Sequence, residues 1–166
     1  VTSDSYKGAG GIIGFTEDDK FVLGKMTVTE AKKMKIRDAV TFGPFLIVNG
    51  KSSEVLGNGG WGTAPRTAIG QRKDGIVLFL VLDGRTATKP GADMDDLIEV
   101  MERYGAYNAA NLDGGTSSVL VVGDTIVNDP IDSTGAHKTR PISTAFIVTK
   151  DESDDSDHSV VANKLK

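Results

Sequence analysis

The sequence predicts an α+β fold: one domain rich in short strands, with a few helices packed on them. Three observations predict it. Twenty glycines stand mostly between short apolar runs, so the chain turns often. IVLFLVL at 76–82 is consecutively apolar and of strand length. The stretch 91–105 instead carries its apolar residues at helical spacing. At 166 residues, one domain is the default and a real core can be buried. That domain is expected to occupy 1–150.

Residues 3–14 are glycine-rich and read as irregular, with Ile12 and Ile13 starting a strand. Glu17-Asp18-Asp19-Lys20, between apolar residues, reads as a hairpin turn. A first helix is expected at 29–35 with Thr29 as N-cap. AVTFGPFLIV at 39–48 reads as a strand broken at Gly43-Pro44, and Asn49-Gly50 closes it as a hairpin-type turn. Residues 51–61 read as a glycine-rich loop. Residues 67–71 and 75–82 are expected to pair across Lys73-Asp74-Gly75. With apolar residues at consecutive positions, the second run reads as a central strand covered on both faces. It ends in Asp83-Gly84-Arg85, an acid and a base at a strand exit, where a scaffold presents chemistry or where a turn carries a surface ion pair.

In the helix at 91–105, Met94, Leu97, Ile98, Met101 and Tyr104 read as core rather than as a cofactor site. Asp93, Asp95 and Asp96 suit the positive end of the helix dipole, and Gly105 stops the helix. NAANLDGGTSSVLVV at 108–122 puts polar residues and two glycines ahead of an apolar run, expected to be a buried strand. Asn111, Asp113, Ser117 and Ser118 must then find partners or a ligand, or else cap their own turn. Residues 128–139 read as a polar loop in which His137 is a surface residue, and 141–149 as the last strand.

Composition narrows the function classes. The net charge of −4 gives no reason to expect nucleic acid as a partner. No apolar run approaches the roughly 20 residues of a membrane helix. Residues 151–166 hold five acids against two lysines, which reads as a solvated, disordered tail. Without cysteine there are no disulfides and no thiolate metal sites. Asp83, Asp113, Asn111 and backbone carbonyls offer oxygen ligands for Ca²⁺ or Mg²⁺, yet no dense acidic loop of calcium type occurs, so no cofactor is expected.

FGPFLIVNGK (42–51), PRTAIGQ (65–71), LVLDGR (80–85), the block from GADMDDLIEV to NLDGGTSS (91–118) and TRPIST (139–144) together resemble the phosphodiester glycosidase family. The resemblance covers 42–149. It implies a mixed, curved central sheet with packed helices. It also implies a hydrolase that cuts the sugar C1–O bond of an N-acetylglucosamine-1-phosphodiester-like glycan, in an extracellular or cell-envelope setting. An upstream Asn-Gly-Gly segment carried by members has no equivalent before Phe42, so the N-terminal part of the family domain is expected to be missing. Thr116 stands where another glycine is frequent.

That reaction makes physical demands. Phosphate suits guanidinium forks and main-chain N–H groups: Arg66, Arg85 and Arg140, with Gly114 and Gly115 letting backbone approach. Positive charge developing at C1 calls for a carboxylate, Asp113 or Asp83, as nucleophile or as base for water. Thr67, Asn111, Ser117 and Ser118 would orient sugar hydroxyls or the carboxylates. The alternative is a non-catalytic carbohydrate-binding or cell-envelope interaction module on the same fold. Oligomeric state is not legible.

Overall fold

The computed structural model describes residues 10–55 and 62–149. Strand β1 (Gly11–Thr16) turns at Glu17 to Lys20 into β2 (Phe21–Gly24), the expected hairpin, with Asp19 at φ 56° in the left-handed region that aspartate tolerates. Strand β3 (Ile36–Phe42) pairs with the other side of β1, giving an antiparallel sheet in the order β2-β1-β3. Between β2 and β3 lies helix α1 (Val28–Lys33).

Its cap is Thr27, which corrects the expected Thr29. The Glu30 amide donates to Thr27 Oγ1 at 3.2 Å and the Thr27 amide to Glu30 Oε2 at 2.8 Å. Only Thr27 has a glutamate three residues on, so only it can form this reciprocal capping box.

The chain then leaves the first sheet. The expected break at Gly43-Pro44 does not merely interrupt a strand but passes the chain to a second sheet. This one contains β4 (Phe45–Val48), β5 (Lys51–Ser52), β6 (Arg66–Arg72), β7 (Val77–Leu82) and β8 (Ala106–Leu112) in the order β5-β4-β8-β6-β7. All its pairings are antiparallel. Asn49 and Gly50, at φ 53° and 74°, make the two-residue turn between β4 and β5, both central residues taking the positive φ that such hairpins need. Part of the expected 51–61 loop, residues 56–61, lies outside the described residues.

Alternation along the middle strands explains the layering. Ala68 and Ala109 face one way, toward Leu46, Leu80 and helix α2 (Met94–Arg103); Ile69 and Ala110 face the other, toward Ile13 and Phe21 of the small sheet. The larger sheet is therefore the middle layer between a helix and a second sheet. Gln71 stitches the layers, its Oε1 accepting from the Phe21 amide at 2.8 Å and its Nε2 donating to Asp19 O at 2.8 Å. In α2 four of the five expected stripe residues, Met94, Leu97, Ile98 and Met101, are buried, each contributing about 1.5–3 kcal/mol, whereas Tyr104 is the C-cap and only half-buried. Asp93 is its N-cap, and Asp96 returns the bond to the Asp93 amide at 2.9 Å.

Three strand expectations need correction. β7 is an edge strand, not a central one. Leu78, Leu80 and Leu82 pack on the α2 side, whereas Val77 and Phe79, facing the other way, are 36% and 40% exposed. The central strand is β8, which pairs with both β4 and β6. It escapes a hydrophobicity reading because its inward residues are alanines, small enough for both layers to close over them. The buried strand thus comes before the Asp113-Gly114-Gly115 turn rather than after it. Of the run 119–122, only β9 (Val121–Val122) is strand, exposed and paired with β10 (Thr125–Ile126). Residues 141–149 form no strand: no described strand edge takes their backbone, although Phe146 packs beside Phe15 with ring centroids 6.1 Å apart.

No helix among the described residues is long and apolar enough to cross a membrane.

Candidate active site

The exit of β8 meets the entrance of β6, the exit of β7 and the residues before α2. There Ala64, Arg66, Arg85, Asn111, Leu112, Asp113, Gly114 and Gly115 line a cleft of about 210 Å³. Six of these eight were expected site residues, drawn from three separate stretches of sequence.

Each is held for a local reason. Asn111, on β8, is 1% exposed; its Nδ2 donates to Gly43 O at 2.8 Å and its backbone N–H to Pro44 O at 3.0 Å. Asn111 Oδ1 is buried without a hydrogen-bond partner among the described residues. Such an acceptor is rare in a folded protein and calls for an explanation. Gly114 and Gly115 do let backbone approach closely, and what approaches is protein. A Cβ at Gly114 would lie 2.8 Å from Pro65 O, and one at Gly115 would lie 2.8 Å from Arg85 Nη2. The Gly115 N–H donates to Pro65 O at 2.8 Å, and Gly115 has φ 61°.

Arg66 is 3% exposed, with Nε donating to Ala92 O at 3.0 Å and Nη2 donating to Gly62 O. Burial pushes its pKa down from the usual arginine value, and the nearby Asp93 carboxylate opposes that shift. It is as much a brace for the cleft wall as a charge on it. Arg85 sits at φ 68°, which costs a non-glycine residue of order 1 kcal/mol. Its Nη1 donates to Thr116 Oγ1 at 3.0 Å and to Ile131 O at 2.7 Å. Thr116, the residue in place of a frequent glycine, thus holds the guanidinium. No Asp83–Arg85 ion pair forms among the described residues.

Asp113 lies on the turn, with its side chain half exposed. Its Oδ2 accepts from Ser117 Oγ at 2.7 Å and from Arg140 Nη2 at 2.7 Å, and Arg140 Nε donates to Ser117 Oγ at 2.8 Å. Arg140, expected beside a strand, acts from an irregular segment.

The remaining expected residues go elsewhere. Thr67 alternates with Arg66 and so takes the opposite face of the sheet, where its Oγ1 donates to Ser118 Oγ at 3.1 Å. Ser118 is 1% exposed, and its carbonyl accepts from Asn128 Nδ2 at 2.8 Å. Asp83 Oδ1 accepts from Asn128 Nδ2 at 3.1 Å and from the Asp129 amide at 2.9 Å. Asp83, Thr67, Ser117 and Arg140 line a longer open groove that Asp113 also reaches. As expected, His137 is on the surface, its Nδ1 2.7 Å from Asp129 Oδ1. Among the described residues no three His, Asp or Glu side chains gather as a metal-binding group.

Sequence reasoning missed Asn128 and Asp132. Asp132 is 8% exposed; its Oδ1 accepts from the Thr134 and Ala136 amides and the Thr134 hydroxyl, and Lys138 Nζ lies 2.8 Å from Oδ2. These partners, Lys138 first and the Thr134 hydroxyl next, hold its carboxyl well below the usual carboxylate range against the opposing effect of burial. The loop it closes presents the Ile131 carbonyl to Arg85. Because the folded pKa is depressed, the loop's extra stability is present above the ordinary value of 3.8 and is lost as pH falls below it. Amide-exchange protection at Thr134 and Ala136 is therefore expected to drop on acidification below that value. In Asp132→Asn it should already be low at neutral pH.

A family model for phosphodiester glycosidases matches residues 1–149. The chain belongs to the phosphodiester glycosidase family. The match takes in the segment upstream of Phe42, beyond the reach of the motifs. The mouse N-acetylglucosamine-1-phosphodiester alpha-N-acetylglucosaminidase is 33% identical over 67 residues, 40% of this chain and 13% of that protein. The SPbeta prophage-derived uncharacterized protein YomE of Bacillus subtilis (strain 168) is 38% identical over 68 residues, 41% of this chain and 11% of that protein. The catalytic domain of the zebrafish N-acetylglucosamine-1-phosphodiester alpha-N-acetylglucosaminidase, auto-inhibited by its pro-peptide, superposes with a TM-score of 0.67 at 19% identity. That superposition covers 81% of this chain and 50% of the zebrafish chain, and at such identity it speaks to the fold alone. The family includes glycosidases, and the fold here is the α+β phosphodiester glycosidase fold: an open, curved sheet with packed helices.

Proposed function

We propose that the cleft binds a sugar-1-phosphodiester and hydrolyses its C1–O bond. The observation that carries this reading is the convergence of Arg85, Asn111, Asp113 and the Gly114-Gly115 turn on one cleft of about 210 Å³. Asp113 is the carboxylate for the positive charge at C1, as nucleophile or as base for water. Its Ser117 and Arg140 bonds keep it oriented. Arg85 and Arg140 receive the charge of the departing phosphomonoester; a leaving group so stabilised needs little protonation. Arg66 braces the wall behind them. Thr67, Ser118 and Asp83, tied to one another's surroundings on the opposite face, support the turn and are given no direct part.

The activity of relatives several times longer than the matched stretch supports the reading without deciding it. The test is incubation with an alkyl phosphodiester of N-acetylglucosamine, with free sugar and binding both measured. Release of sugar and phosphomonoester together is the expected result. Binding without turnover would mark a non-catalytic module instead.

A further inference from the structure

We infer that Asn111 sorts the cleft, its Oδ1 reading a hydrogen-bond donor on the sugar ring while the phosphate is held away from it. This rests on reading the cleft as the sugar-phosphodiester site. The orientation of the side-chain amide is forced: Nδ2 donates to Gly43 O at 2.8 Å, and turning the amide over would set two carbonyl oxygens against each other. Oδ1 is therefore the atom left over, in a residue 1% exposed, and nothing among the described residues bonds to it. The strand gives it no freedom to seek a partner, because the Asn111 backbone N–H is bonded to Pro44 O at 3.0 Å and Asn111 pairs in register with Ala68.

A carbonyl oxygen only accepts. A phosphodiester anion carries no donor, so its oxygens facing Oδ1 would add an acceptor to an acceptor. A sugar ring offers hydroxyl or acetamido N–H donors and satisfies Oδ1 directly. The guanidinium of Arg85 lines the same cleft, and its Nη2 lies beside Gly115. One cleft thus offers an acceptor from β8 and a charged donor from the β7 exit. These suit the two halves of a sugar phosphate and fix which way round it lies. Sites built around one buried polar group reject analogues lacking its partner far more strongly than apolar pockets reject a missing methylene.

The test uses the unmodified protein and calorimetry with N-acetylglucosamine 1-(methyl phosphate). Analogues lacking one ring hydroxyl or the acetamido group follow, and dimethyl phosphate is the sugar-free probe. One analogue is expected to bind roughly 10- to 100-fold more weakly than the parent. In Asn111→Ala that analogue and the parent should bind alike, and dimethyl phosphate should bind as it does to the native protein. Equal binding of every analogue to the native protein overturns the inference. So does an Asn111→Ala variant that weakens dimethyl phosphate as much as the sugar ester. If Asn111→Ala does not fold, the analogue series on the native protein decides alone. Turnover separates the two claims: the expected binding pattern without hydrolysis sinks the enzymatic reading only, and hydrolysis indifferent to every ring donor sinks this one only.

Discussion

Asp113→Asn is expected to lower turnover of a sugar-1-phosphodiester by about 10³-fold while leaving the folding transition nearly in place. Asparagine keeps the shape and one oxygen, so the Ser117 hydroxyl retains an acceptor. The side chain is half exposed, so little packing is at stake. What is lost is the charge that answers the developing positive centre, and no other carboxylate among the described residues lines the cleft to replace it. The matched control is Asp83→Asn. Asp83 Oδ1 takes its bonds from Asn128 Nδ2 and the Asp129 amide, outside the small cleft, and an asparagine oxygen can accept both. Turnover by Asp83→Asn should stay within a few-fold of native. Steady-state kinetics on the two variants, with thermal melts beside them, checks both statements. Full activity in Asp113→Asn, or a collapse confined to Asp83→Asn, would show that the carboxylate had been misassigned.

The two aspartates also show where a sequence reading stops. Both stand next to glycine at a strand end, and locally only the tighter two-glycine turn favours Asp113. Their partners separate them: Ser117 is four residues from Asp113, but Asn128 is 45 residues from Asp83. Short-range chemistry was legible at the hairpin turns and along α2, though not at the α1 cap, where the capping box selects Thr27 over the expected Thr29. The hairpins at Asn49-Gly50 and Lys73-Asp74-Gly75 and the α2 stripe follow from φ requirements and periodicity, which are properties of a few neighbours. Layer position was not. IVLFLVL is more apolar than AYNAANL, yet the second is the central strand, because being sandwiched between a helix and a sheet rewards small side chains over greasy ones. Arg66 and Thr67 were one motif on paper; strand alternation sends them to opposite faces, one into the cleft and one to Ser118. Asp132 carried no local signal of its part, since it acts on the site through a loop carbonyl that only the folded chain brings to Arg85.

A large effect on stability is expected at Gly91, the glycine that opens the 91–118 block. Gly91 has φ 114°, and a Cβ there would lie 2.4 Å from both the carbonyl carbon and the oxygen of Ala64. Those atoms are backbone and cannot rotate away. Ala64 and Ala92 exchange hydrogen bonds of 2.9 and 3.2 Å, and Ala92 O also accepts from Arg66 Nε at 3.0 Å. Pushing Ala64 aside therefore breaks a paired bridge, shifts one wall of the cleft and loosens the arginine that braces it. Gly91→Ala should destabilise the protein by about 3 kcal/mol or more, about 1–3 from the backbone conformation alone and the rest from the displaced strand entry. For a domain of this size that is a fall in Tm of roughly 10 °C. Gly75→Ala separates the two contributions: Gly75 has φ 93°, but a Cβ there meets nothing within 4 Å, so only the conformational cost applies. Paired thermal melts should place Gly91→Ala well below Gly75→Ala. Among molecules still folded, Gly91→Ala should also bind the sugar ester more weakly, whereas Gly75→Ala, on the turn between β6 and β7, should bind it normally. Equal melts would mean that the contact between residues 64 and 91 yields freely, and that the wall holding Arg66 is softer than its packing indicates.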